Sequence, residues 1–358
     1  MGDIAMDSHK KPIAWRIEWL MEHARKYSAM FSSPEVFVAR QRYLAEHPSA
    51  IVAFKCMDGR INLPVATHTP LGIIQPFRNL GGKFDLGWPH LGEVLANYIH
   101  EQICSGRRVL LLITYHYSKG SKHRGCAGFN YDTDLARAFT YDIKKQIEHV
   151  FGVGHGTVYP VVCGFETDQE ALVLHGANGE TLDISEIEPD DQYGVRPRLA
   201  EMFPDMPSQI RFDLEPLVLG NMDRIAEVQK TDRTLDIEHH EWVICIGRGF
   251  DFLHMPNVAL IIGPYSPNLD DPITRAAGIV DANMRAGRIP DDGFLLLASS
   301  AYGEVGVDLA RAELKSRFLS KFAGEVIPTT HPKLARKMQV RTAVLDWRSR
   351  KLELIASK

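Results

Sequence analysis

Nothing in this sequence supports a disulfide framework: its 358 residues hold five cysteines, at positions 56, 104, 126, 163 and 245. An odd, widely scattered set suits reduced thiols and a cytoplasmic setting. An excess of one charge is lacking too, because 41 Lys and Arg against 45 Asp and Glu leave a net −4. A nucleic-acid binder usually carries a clear basic surplus. No apolar run approaches the roughly 20 residues of a helical membrane span. The early stretch Lys10-Lys11-Pro12-Ile13-Ala14-Trp15-Arg16 is too charged for the core of an export signal. Gly247-Arg248-Gly249 lacks the Gly-Lys-Ser/Thr of a phosphate loop. What remains, 45% hydrophobic and 24% charged, matches a globular protein long enough for two cores.

Apolar periodicity divides the chain into two similar series. After a helical segment over 1–47, the first series holds short buried strands at 50–55 and 71–74 and a helix over 90–104. The run Val109-Leu110-Leu111-Leu112-Ile113-Thr114 follows, with the length of a fully buried parallel strand. A helix over 132–150 and a strand pair at 157–165 and 171–175 close this series. The second places strands at 242–245 and 258–262, a helix over 272–286, a strand at 294–298, another helix, and a strand pair at 339–345 and 351–355. Asp134-Leu135-Ala136-Arg137-Ala138 recurs as Asp308-Leu309-Ala310-Arg311-Ala312, an offset of 308 − 134 = 174. We read a duplication, with units over 48–183 and 213–358 joined by an acidic, proline-bearing connector over 184–212. Alternating strands and helices predict an α/β fold with a mainly parallel sheet flanked by helices.

The chemistry gathers where strands of the first unit end. The first strand runs into Cys56-Met57-Asp58-Gly59-Arg60, and the central strand ends in Thr114-Tyr115-His116, followed by a polar loop carrying His123-Arg124-Gly125-Cys126. Neighbouring parallel strands present their carboxyl ends at one edge, so Cys56, a histidine and Cys126 are expected to converge. Two thiolates and an imidazole suit Zn²⁺ over Mg²⁺ or Ca²⁺, and three protein ligands leave the fourth position for water. Such water ionises near neutral pH. Residues 56, 58 and 60 would share one side of an extended strand end. An Arg60 fork would hold Asp58 ionised and aimed at the nucleophile.

Cys-x-Asp-x-Arg, followed by a His and a Cys after the next buried strand, resembles the signature of β-class carbonic anhydrases. Phe77-Arg78-Asn79-Leu80-Gly81-Gly82 resembles the Arg-Asn loop between their ligand regions. The chain most resembles the carboxysome shell branch, which shares Thr114-Tyr115-His116, a longer His-to-Cys loop, and a segment like Gly164-Phe165-Glu166-Thr167-Asp168. The resemblance implies a catalytic repeat plus a degenerate second one, packed as an internal dimer. It implies one Zn²⁺ per chain, CO₂ and bicarbonate as ligands, and roles for Asp58 and Arg60 in hydration. COS or CS₂ hydrolysis, or a non-catalytic shell role, are its alternatives. The shell branch carries a sizeable domain before its catalytic repeat, whereas 55 residues precede Cys56 here. A free cytoplasmic homo-oligomer is therefore the expectation, with carboxysome components as the alternative partners.

Two histidines compete for the metal. His123 makes His-x-x-Cys with Cys126, while His116 stands at the strand end and matches the shell branch; His116 is preferred. In the second unit Cys245 is read as the surviving cysteine, without an Asp two residues on, and Ser299-Ser300-Ala301-Tyr302 supplies neither His nor Cys. Cys104 and Cys163 are read as small core residues, and His239-His240 as a solvated turn.

Overall fold

The computed structural model describes residues 8–154, 156–188, 191–231, 238–253, 255 and 257–356. Residues 189 and 190 of the expected connector lie outside that set.

Two compact units emerge. One comprises the described residues of 38–56 and 61–237, the other those of 1–37, 57–60 and 238–358. In the first, β1 (Ala50–Cys56) lies between β2 (Ile74–Asn79) and β3 (Val109–Tyr117), with β4 (Val158–Glu166), β5 (Ala171–His175) and β6 (Thr181–Asp183) following in the order β2-β1-β3-β4-β5-β6. β1 to β4 are parallel; β5 and β6 are antiparallel. Every residue of β1 is buried, Lys55 included, which is why its first five residues read as an unbroken apolar run rather than an alternating one.

The second sheet contains β7 (Val243–Gly247), β8 (Ala259–Ile262), β9 (Phe294–Tyr302), β10 (Met338–Asp346) and β11 (Leu352–Leu354). Its order, β8-β7-β9-β10-β11, repeats the first five strands of the other sheet, again with an antiparallel last strand. The recurring five-residue segment opens equivalent helices, Thr133–Phe151 after β3 and Val307–Thr330 after β9, and its Asp is the second residue of both. The fold is therefore α/β, with two mainly parallel, repeat-like sheets flanked by helices.

Three local departures from the sequence reading have physical causes. The strand expected at 71–74 starts only at Ile74 and runs through Pro76 to Asn79. A proline is tolerated there because β2 is the edge strand. β3 continues past Thr114, so His116 lies inside the strand. The helix Ser208–Val228 is not announced by the sequence because Pro216 interrupts its pattern, yet it buries Ile210, Leu214, Leu217, Val218, Met222 and Ile225. Its Gly220 sits so close to Thr67 that a Cβ would clash with the Thr67 carbonyl oxygen. No helix among the described residues is long and apolar enough to cross a membrane.

Candidate metal centre

Cys56 closes β1 and His116 is the eighth residue of the adjacent parallel strand β3. Alternation along β3 sends Thr114 and His116 to one face, and Tyr115 and Tyr117 to the other. Cys126 arrives from the loop, in a turn where the N–H groups of Phe129 and Tyr131 both donate to its carbonyl oxygen, at 3.1 and 2.9 Å. One ligand atom from each of Cys56, His116 and Cys126 lies within 4.8 Å of the other two. All three residues are buried, at 5%, 2% and 3% exposure. Ligand atoms around a tetrahedral zinc with Zn–S near 2.3 Å and Zn–N near 2.0 Å stand roughly 3.3–3.8 Å apart. The donor set therefore fits Zn²⁺ in its chemistry, and its convergence and burial suit such a site.

The cradle is built from backbone. The N–H of Gly81 donates to Cys56 Sγ at 3.2 Å, a bond that favours the thiolate. Gly81 holds φ 65° and Gly82 φ 63°, a left-handed conformation that glycine adopts without a Cβ clash. Gly128, in the turn after Cys126, lies against this loop; a Cβ there would stand 2.7 Å from Gly81 Cα and 2.8 Å from Gly81 N. The two glycines thus let the Cys56 and Cys126 loops meet.

His123 is exposed, with its ring edge-on to Tyr131 at 5.6 Å, and does not join the cluster. Cys163 is fully buried in β4, and burial pushes its thiol up to about 12, so it stays protonated and inert. Cys104 departs from the sequence reading: at the end of the helix Pro89–Cys104 it faces outward, with Sγ 3.4 Å from His100 Nε2.

Asp58 and Arg60 belong to the other compact unit. The strand ends at Cys56, and 57–60 form a turn rather than the extended segment expected. Asp58 Oδ1 accepts the Arg60 backbone N–H at 2.8 Å, an Asx turn. Arg60 Nε donates to Oδ1 at 3.0 Å and Nη2 to Oδ2 at 2.7 Å. The carboxylate is thereby gripped on both oxygens. The turn is fixed at its backbone, since Ile261 N–H donates to Met57 O at 2.9 Å and Asn257 N–H to Gly59 O at 3.3 Å. Beside it stand Glu241, which sequence reasoning passed over, and His239, which is not the solvated turn residue expected but is only one-fifth exposed. Glu241 is fully buried and takes the Gly59 N–H at 3.3 Å, and His239 places Nδ1 2.9 Å from Glu241 Oε2. Burial by itself would push the Glu241 carboxyl up; His239 beside it, with Arg60, holds it below the usual carboxylate range.

In the second sheet the pairing register corrects one sequence assignment. Ala53 pairs with Leu112, the fourth residue of β3, and Cys245 pairs with Leu297, the fourth residue of β9. Cys245 is therefore the counterpart of Ala53, a packed core residue. Arg248, three residues further on, stands in the place of Cys56. Ala301 is the eighth residue of β9, where β3 has His116.

No family model matches the chain, and no curated protein matches it in sequence. Among solved structures it is similar to one described as the β-carbonic anhydrase CcaA, at 15% identity and a TM-score of 0.34, over 47% of this chain and 99% of that one. A likeness this distant assigns neither family nor activity.

Proposed function

We propose that the protein is a zinc-dependent carbonic anhydrase of the β class, interconverting CO₂ and bicarbonate. The observation that carries this reading is the buried Cys56–His116–Cys126 cluster, with its strand-borne cysteine followed two residues later by a carboxylate held in a guanidinium fork. A structural zinc site is closed by four protein donors; here three soft donors converge among the described residues. Zinc, when bound there, supplies the acidity that turns water into a nucleophile near neutral pH.

The rest of the work falls to the chain. Gly81 N–H stabilises the Cys56 thiolate and fixes its direction. Asp58 holds a proton acceptor at Oδ2, and Arg60 prevents that carboxylate from rotating. Burial of the three ligands excludes competing water from the cluster. Arg60 on Asp58 also favours hydration chemistry over a purely structural metal, because an oriented acceptor has no use in an inert site.

Stopped-flow CO₂ hydration on reduced, zinc-loaded protein between about pH 7 and 9 tests the proposal. Fast hydration that rises with pH is the expected result. Background rates at one zinc per chain would overturn it, and COS turnover far above CO₂ turnover would replace the substrate.

A further inference from the structure

The strand end of the second sheet whose counterpart carries Cys56 carries a cluster of cations instead. Gly247 pairs with Ser299, and the next N–H, that of Arg248, donates to the Ser299 carbonyl at 3.0 Å. The Arg248 guanidinium lies 5.5 Å from the centre of the Trp347 ring and hydrogen-bonds the buried Tyr265 hydroxyl. Tyr265 follows β8 and Trp347 follows β10, so the two rings hold a half-buried cation at the carboxyl edge of the sheet.

The helix Val307–Thr330 supplies two more. Its Leu319 lies over the end of β7, since a Cβ on Gly247 would stand 3.3 Å from Leu319 Cδ1. The helix starts just after β9 ends, at the same edge. Lys315 is one turn, about 5.4 Å, nearer that start, and Arg311 is one turn further still. Burial, and then the positive charges of Arg248 and Arg311, hold the Lys315 ammonium below its usual range, so the three cations stand close enough to repel. Asp308, a turn before Arg311, has its Oδ2 on the Gly303 and Glu304 N–H groups at 2.6 and 3.4 Å.

Two hydroxyls lie beneath the helix. Alternation along β9 puts Ser300 on the side of Tyr302, which packs against Ala312 of the helix, and Ser316 lies one turn beyond Ala312. Ser300 is 4% exposed and Ser316 0%, and neither Oγ has a hydrogen-bond partner among the described residues. A buried hydroxyl without a partner is costly, and a ligand oxygen beside it would remove that cost.

We propose that this edge of the second sheet binds phosphate, free or as a monoester, between Arg248, Arg311 and Lys315, with the Ser300 hydroxyl donating from the strand. The charge count selects the ligand. A phosphate monoester carries about −1.5 to −2 near neutral pH, with three strong acceptor oxygens, and guanidinium forks match its geometry. Bicarbonate, a monoanion, would leave most of the positive charge unanswered. The donors are side chains, so the absent phosphate loop is not needed. The site is independent of the Cys56–His116–Cys126 cluster and stands whether or not that cluster hydrates CO₂.

Calorimetric titration of the full chain with inorganic phosphate and, separately, with glycerol 3-phosphate is the test. One anion per chain should bind, and bicarbonate far more weakly. Arg311→Gln, at an exposed position where folding is undisturbed, should weaken binding by about 10–100-fold, the effect of losing a charge-assisted contact. Arg248→Gln should do the same, and Ser300→Ala should cost about 2–10-fold. Lys321→Gln, on the outer side of the same helix, should change it by less than about twofold. A tighter monoester assigns the site to a phosphorylated small molecule; a monoester no tighter than phosphate assigns it to the free anion. Folded wild type that binds neither at millimolar concentration would overturn the site. Equal losses in Lys321→Gln and Arg311→Gln would also overturn it, since they mark unspecific attraction. Bicarbonate bound as tightly as phosphate would overturn the choice of ligand.

Discussion

The backbone N–H of Gly81 points at the sulfur of Cys56, 3.2 Å away. A cysteine at a strand end would otherwise lose its thiolate to burial; this bond and a metal are what favour the charged form. Removing the sulfur tests the arrangement directly. Cys56→Ser should lose its zinc and hydrate CO₂ at background rates while keeping its far-ultraviolet circular dichroism. A folded variant that retains stoichiometric zinc by elemental analysis would remove Cys56 from the ligand set.

Gly128 offers a subtler probe, because it supplies no ligand atom itself. Alanine there would bring a Cβ within 2.8 Å of the Gly81 nitrogen and push the two loops apart. Zinc affinity should weaken by about 10–100-fold, the usual effect of disturbing a ligand's support, with a loss of about 1–3 kcal/mol in stability from overpacking. Competition with a zinc chelator measures the first and urea unfolding the second.

Arg60→Lys keeps the positive charge but cannot fork across both oxygens of Asp58. Activity should fall by about 10–100-fold with zinc content unchanged. An Arg60→Lys enzyme with wild-type kcat/KM would show that the orientation of Asp58 is irrelevant.

Acid stability should depend on His175. Its Nε2 lies 2.8 Å from the hydroxyl of Tyr115, whose own pKa is raised, chiefly by burial, so the hydroxyl donates and the ring is neutral. Burial, with Arg137 nearby, pushes the His175 pKa down from 6.5 to about 4. Between those values the unfolded chain binds more protons. The contribution is thus complete above about pH 6.5 and is lost as the pH falls towards about 4. His9, lowered to about 4 by burial and by His240, shares the window. His175→Gln should therefore flatten, without abolishing, the decline in melting temperature across that range; an unchanged slope would refute the assignment.

How far the sequence could be read depended on the kind of signal. The buried strands were legible because fully covered parallel strands are apolar throughout, and Cys56, His116 and Cys126 because soft donors at strand ends stand out by type. Asp58 and Arg60 were legible as a pair, but not the turn that holds them, since Asx turns are set by local hydrogen bonds rather than by spacing. Cys245 misled because identity of residue type was taken for identity of position, and only pairing register fixes position in a sheet. His239 and Glu241 were hidden for another reason: they lie about 180 residues from Asp58 in the chain, and only folding brings them beside it. Their spacing of two, next to a buried strand, was the one local hint.

The second repeat holds a lesson about reversibility. Gly247 adopts φ 121° and lies so close to β9 that a Cβ would clash with the Ser299 carbonyl oxygen. Arg248 and Ala301 fill the two strand-borne ligand positions. Restoring a metal-binding set would require a cysteine at 248, a histidine at 301 and another cysteine in the loop beyond, at the same time, in a segment whose backbone has closed against its neighbour. No single step in that series is rewarded. A metal-binding set in this sheet is therefore reached only through several changes at once, never one at a time.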